Sequence, residues 1–353
     1  MSALTPDDLL AGPRGRVLCI AVAHRLHEAV WPAWLEAAWH PFDESRREDL
    51  IRALAAVDAR PVRGWSDPGM FVDPVNETVG HAMYWQPPHG QEAVTAHSAV
   101  TGALRPVAAA VAAAPAAAWW SSAVDLSQLR YTGWFDQSDQ AATALPPAGA
   151  RGRLNRWREQ TLADERDAAE NRPADPSAPF SGRWWSTPAM ASLVTTTRPL
   201  PGLGSVELVW EEDSMGPRDA SIWTLEPTQP PRVWEIDGPR AWVRLVDRYP
   251  LDVTNARRHD WYRTTGRAGP WRIPDWAAVA ADWDAVHLSV AGYLAAATRP
   301  LSVADGEAAT VLAGWNPDQA WWLTDILTAN SAPETWRPDR ETDGREPAWH
   351  RSG

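Results

Sequence analysis

The 24 tryptophans of this 353-residue chain constrain its fold more than any other feature. Each ring removes ~150–250 Å² from water when buried, so core packing is the natural destination for most of them. The length suits two domains, or one large domain with a helical appendage, and is ample for a sizeable core. Trp31, Trp34, Leu35 and Ala38 already share one helix face by their spacing.

All 33 basic residues are arginine. A chain without lysine has no Schiff-base nucleophile, pyridoxal-phosphate anchor, phosphate-loop lysine, kinase lysine or Ser-x-x-Lys acyl transferase. The abundance of alanine and proline ties this usage to coding-sequence base composition, and the exclusions hold whatever the cause. A net charge of −12 argues against general nucleic-acid binding, because a phosphate backbone rewards clustered positive charge. It leaves room for a local arginine patch over a bound phosphate. The expected partner is a small-molecule or nucleotide ligand.

Cys19 stands alone in the apolar run Val17 to Val22, which excludes a disulfide framework and a thiolate zinc site and favours a buried, inert thiol. His24 and His27 lie one helical turn apart beside Glu28, but nothing nearby completes a ligand set, so no metal is expected. No secretory signal and no membrane-length apolar run is present, and a soluble, cytoplasmic protein is expected.

Along the chain, residues 1–60 read as helical, with Thr5-Pro6-Asp7-Asp8 as a start signal and a second helical run from Ser45 to Val57. Residues 61–100 are turn-rich. Val100 to Ala114 reads as an alanine-rich helix containing Pro106, and Arg153 to Glu170 as a charged helix between an Ala/Pro/Gly joint at 141–150 and a proline-rich joint at 171–179. After Phe180 strands prevail. Val206–Trp210, Ser221–Leu225, Arg232–Ile236, Asp284–Val290, Thr310–Ala313 and Ala320–Thr324 are predicted strands, and Pro239–Tyr249 and Pro274–Asp282 predicted helices. The fold class is therefore α+β, a helical N-terminal region followed by a C-terminal domain with a mixed or antiparallel sheet. The expected division is 1–140 mainly helical, 141–180 linker with charged helix, 181–330 α+β domain, and 331–353 disordered tail. Trp119-Trp120, Trp184-Trp185 and Trp321-Trp322 echo one another at unequal spacings, which excludes a solenoid.

Several groups are candidates for chemistry. His287 projects from a predicted strand beside Ser289, opposite the face of Val286 and Leu288, with Asp284 at the strand's mouth. The segment 257–267 carries Arg257, Arg258, Arg263 and Arg267 with Trp261 and Tyr262, a composition suited to a phosphate-binding, base-stacking loop or to a solvated one. No dinucleotide glycine fingerprint and no Gly-x-Ser-x-Gly elbow is present.

Leu129-Arg130-Tyr131-Thr132 reads as the end of a strand, Arg183-Trp184-Trp185-Ser186-Thr187 opens the strand-rich half, and Gly314 to Gln319 precedes a late strand. This order, over about residues 180–325, resembles the arginine–serine–glutamate layout of ADP-ribosyltransferases. The stretch from Asp284 to Leu323 is also similar to uncharacterised actinobacterial and phage proteins. The resemblance implies an NAD-dependent ADP-ribosyltransferase-like enzyme in which Arg130 anchors the NAD, Ser186 and Thr187 support the nicotinamide pocket, and Asp318 takes the place of the family's glutamate, with Trp185 as an additional cofactor-binding candidate. Arg263 is the further cofactor-binding candidate and His287 the further catalytic one. Aspartate is a methylene shorter than glutamate, and only one Ser-Thr pair is present. Two other readings stand beside it: a non-catalytic Trp-rich binding protein with exposed tryptophans, and an unrecognised enzyme using His287 and the 257–267 loop.

Overall fold

The computed structural model describes residues 4–88, 90–136, 144–189, 191–214, 216, 218–339 and 348–352. Helices dominate the first third: α1 (Pro6–Ala11), α2 (Pro13–Leu26), α3 (Val30–Trp39), α4 (Glu44–Ala55), α5 (Val72–Gly80), α6 (Gly90–Thr95) and α7 (Ser98–Ala112). Then come β1 (Leu129–Phe135), α8 (Ala150–Asn171), β2 (Thr195–Thr196), β3 (Asp219–Pro227), β4 (Val233–Ile236), α9 (Pro239–Arg248), β5 (Pro250–Asp252), α10 (Thr254–Thr265), β6 (Arg272–Pro274), α11 (Trp276–Asp282), β7 (Ala285–Leu288) and α12 (Val290–Ala296). The chain finishes with β8 (Leu301–Val303), β9 (Ala308–Thr310), β10 (Gln319–Trp322), β11 (Leu327–Ala329), β12 (Glu334–Pro338) and β13 (Trp349–Ser352). The fold is α+β, and among the described residues no single helix is long and apolar enough to cross a membrane.

Local chemistry accounts for the helix starts. Thr5 and Asp8 close a capping box at α1, Asp43 caps α4, and Asp275 accepts from the Ala278 N–H at the head of α11. Proline occupies the first turn of α9, where its missing N–H costs nothing.

Two sheets pack face to face. In the larger, β3 pairs antiparallel with β1 on one side and with β11 and β12 on the other, and β13 extends it beyond β12. The second runs β2-β10-β7-β4 and is antiparallel except for the parallel pair β4–β7. One face of the second sheet places Ala285, Ala320 and Trp322 against Leu129, Trp223 and Leu225 of the first. Its other face sends Ile236, Val286 and Leu288 into the main core, which also holds Val17–Val22 of α2 and the Trp242–Trp276–Trp315 trio. That core takes residues from Leu9 to Leu323, so the helical region and the sheets share it.

Several expectations are corrected. Val206–Trp210 is not a strand: residues 206–208 form a 3-10 turn, because the Ser205 hydroxyl accepts from the Glu207 N–H and curls the backbone. Leu129 begins a strand rather than ending one. The strand expected at 284–290 stops at Leu288, since Ser289 turns to cap α12. The turn-rich stretch 61–100 contains α5 and α6. The supposed disordered tail supplies β12, hydrogen-bonded to β3, and β13 beside it. Residues 141–143 of the expected linker lie outside the described residues.

The segment 257–267 is no loop. It lies on α10 and its C-terminal turn, with Arg257, His259, Asp260 and Trp261 buried. Its arginines are absorbed by backbone and carboxylate acceptors: Arg257 donates to the Trp185 carbonyl, and Arg258 to the carbonyls of Ala168 and Arg172.

Candidate functional site

His287 sits mid-strand on β7, in register with Glu235 on β4 and Ala320 on β10. Its Nδ1 lies 2.6 Å from Glu235 Oε2, and its Nε2 lies 3.6 Å from Asp318 Oδ1, beyond hydrogen-bonding distance. Asp318 in turn accepts from the Arg198 backbone N–H at 2.9 Å and from Arg198 Nε at 2.8 Å. The Arg198 guanidinium rests 4.2 Å from the centre of the Trp119 ring. The result is a row of alternating charge, Glu235–His287–Asp318–Arg198, laid across the sheet.

Burial works against a charged imidazole here. The Asp318 and Glu235 carboxylates outweigh it and hold the His287 pKa at about 9. The row is closed to solvent in its middle: His287 is 1% exposed and Asp318 4%. Its two ends reach the surface in part, Glu235 with 22% and Arg198 with 12% of the side chain exposed, and the other Glu235 oxygen accepts from the Val124 N–H. Two residues singled out from sequence thus meet, and they meet as an internal strut between β4, β7 and the Arg198 segment.

The other candidates lie apart from it. Arg130 projects from β1, its guanidinium bonded to the Leu129 carbonyl. The Ser186 hydroxyl exchanges hydrogen bonds with the Ala313 N–H and carbonyl, and the Ser186 carbonyl accepts from Trp276. Thr187 is buried next to it. Trp185 packs edge-on against Trp184, and Gly314 has no side chain because a Cβ there would stand 2.8 Å from the Trp185 Cβ. Arg263 donates to the Trp85 carbonyl and pairs with Asp260. Asp284 binds Thr324 and the Arg232 N–H, so it ties strand ends and does not face His287. Among the described residues these groups share no hydrogen-bond partner: Arg130, Ser186 and Arg263 donate to nearby carbonyls or carboxylates, and the Thr187 hydroxyl is buried without a partner.

The open chemistry lies elsewhere. A cavity of about 560 Å³ opens beyond the C-terminal ends of the parallel strands β4 and β7, where α9 and α12 begin. Open α/β sheets present ligand crevices at this edge. Asp237, Arg240 and Arg244 line it, with Thr5 and Asp8 of α1, Ser121, and the small side chains Ala291 and Ala295 of α12. Arg240 and Arg244 stand one helical turn apart, both exposed, with no ion pair or hydrogen bond among the described residues.

A second cavity, of about 540 Å³, lies between α1, α2 and α7, but its arginines are engaged: Arg105 with Asp7, Arg16 with Thr95 and the Leu10 carbonyl. A third, beside Arg151, holds about 190 Å³, below the range of small-molecule sites. None of the residues selected from sequence lines the β4–β7 crevice. The legible signal was local: a strand ending in Ile236-Asp237-Gly238-Pro239, then arginines four apart on one helix face.

No family model, curated protein or solved structure matches this chain. The site therefore stands on its own chemistry.

Exposed tryptophans do not form a surface. Of the 24, Trp39 alone is exposed, and the rest are buried or half-buried in the packing.

Proposed function

We propose that this protein binds a small anionic molecule, a phosphate ester or comparable oxyanion, in the crevice at the C-terminal ends of β4 and β7. The observation that carries this is the unpaired couple Arg240 and Arg244. Like charges four residues apart weaken a helix by a few tenths of a kcal/mol, ~0.2–0.5. Cations in its first turns also oppose the helix dipole. With no carboxylate partner among the described residues, the two guanidiniums are unfavourable for α9 alone and become favourable when an oxyanion bridges them.

The NAD-dependent reading rests on Asp318 as the carboxylate that meets the ribose. Arg198 occupies both Asp318 oxygens, which ranks that reading behind the crevice. The Trp-rich binding reading has only Trp39 to offer as an exposed ring.

The test is a thermal-unfolding titration with inorganic phosphate. Phosphate is expected to raise the Tm of the wild type, and Arg240→Gln/Arg244→Gln is expected to abolish that rise. The double variant without phosphate should be at least as stable as the wild type, since it has lost a repulsion. Equal responses of the two proteins, or none from either, would remove the proposal. NAD in a parallel arm serves the other reading: a response lost in Asp318→Asn but kept in the double arginine variant would put the ligand at Asp318.

A further inference from the structure

We infer that the ligand of the β4–β7 crevice is a short aliphatic zwitterion, an oxyanion and an amine on one small carbon chain, with no aromatic ring. This inference rests on the crevice being a binding site and deepens it. Three features of the lining point the same way.

The first is charge. Two carboxylates, Asp237 and Asp8, face the same cavity as Arg240 and Arg244, yet neither carboxylate pairs with either arginine. Asp8 uses Oδ2 for the Thr5 N–H and hydroxyl, and its charge is felt by Arg299, while Oδ1 accepts no hydrogen bond among the described residues. Asp237 has no partner among the described residues. Positive and negative groups held apart in one hollow are complementary to a molecule that carries both signs. A second phosphate would meet the carboxylates, which disfavours polyphosphates.

The second is the absence of rings from the lining. In a chain with 24 tryptophans, none lines this cavity, and nor does any tyrosine or phenylalanine. Bases are held largely by stacking on aromatic faces, and nothing in this lining supplies it. Leu4, Pro239, Ala291 and Ala295 offer only small aliphatic surface.

The third is topology. Asp237 and Arg240 belong to one turn at the end of β4, while Asp8 comes from α1, so the acidic side is built from two separate segments. An amine reaching toward Asp237 and Asp8 bridges α1 to the sheet edge.

Calorimetric titration of the full chain tests this with four probes: inorganic phosphate, glycerol phosphate, O-phosphoethanolamine and AMP. O-phosphoethanolamine is expected to bind at least about tenfold more tightly than glycerol phosphate, equivalent to about 1.4 kcal/mol. AMP is expected to bind no better than inorganic phosphate. Asp237→Asn should erase the preference for the amine while leaving inorganic phosphate bound. If phosphate binds through Arg240 and Arg244 but glycerol phosphate or AMP equals O-phosphoethanolamine, the zwitterion inference falls and the anion site stands. If no probe binds, both fall together.

Discussion

Glu235 on β4 and His287 on β7, 52 residues apart in the chain, face one another in a parallel register and meet at 2.6 Å. The contact places a positively charged imidazole inside a sheet, where charge persists only with close partners. Glu235 on one side and Asp318 on the other supply them, and Arg198 compensates Asp318 in turn. The row closes on itself electrically. It also joins β4, the strand that leads into the crevice, to the segment that carries Arg198.

That row makes stability depend on pH. The His287 pKa rises from 6.5 to about 9 on folding, so the folded state holds the proton more tightly than the unfolded one. Its contribution is complete below about pH 6.5 and is lost as pH climbs through about 9, a change on the order of 1–3 kcal/mol. Unfolding free energies of wild type and His287→Gln should therefore differ more at pH 6 than at pH 9.5. A constant difference across that range would mean that the folded imidazole is neutral.

Removing Arg198 leaves buried Asp318 with the His287 imidazole at 3.6 Å as its remaining cation among the described residues, and losses of about 3–5 kcal/mol are typical of breaking a buried pair. Arg198→Ala should cost that much in denaturant unfolding, including the contact over Trp119. Asp318→Asn in the same chain should recover part of it. A double-mutant cycle with coupling well above ~0.5 kcal/mol establishes the pair, and simple additivity would refute it.

Much of this architecture was legible locally. The helices at 239–248 and 276–282 follow from apolar spacing, Pro239 and the Asp275 cap, all of which act within one turn. His287 opposite Val286 and Leu288 follows from strand alternation. What failed depends on distant partners. The arginines of 257–263 read as available because their acceptors, the carbonyls of Trp85, Ala168 and Trp185, lie 72 to 178 residues away. Glu235 escaped notice because a parallel register is set by tertiary packing. Arg240 and Arg244 escaped because their distinction is what does not touch them, and only a folded chain displays that.

The tryptophan packing is open to a spectroscopic check. Trp39 is 75% exposed, whereas rings such as Trp242, Trp276 and Trp315 are sealed. Iodide should quench a minor, red-shifted fraction of the emission, and Trp39→Phe should remove most of that fraction while the blue-shifted remainder persists. A large quenchable fraction surviving in Trp39→Phe would place many more rings at the surface than this packing allows.

The crevice depends on how closely α12 approaches the end of β4, and Gly292 sets that approach. A Cβ at Gly292 would lie 2.1 Å from the Ile236 carbonyl oxygen, a backbone atom that cannot step aside. Gly292→Ala must therefore push α12 away from the strand, moving Ala291 and Ala295, which form one wall of the cavity. Overpacking of this kind costs about 1–3 kcal/mol. Gly102, in the middle of α7 with nothing within 4 Å of its added Cβ, is the control. There, alanine should be neutral or stabilising by up to about 1 kcal/mol, since it only improves helix propensity. Chemical denaturation of both variants gives the stability comparison, and phosphate titration gives the functional one. Gly292→Ala should lose stability and phosphate response together, and Gly102→Ala neither. A Gly292→Ala protein as stable as the wild type, with its phosphate response intact, would show that α12 does not rest on β4 as described.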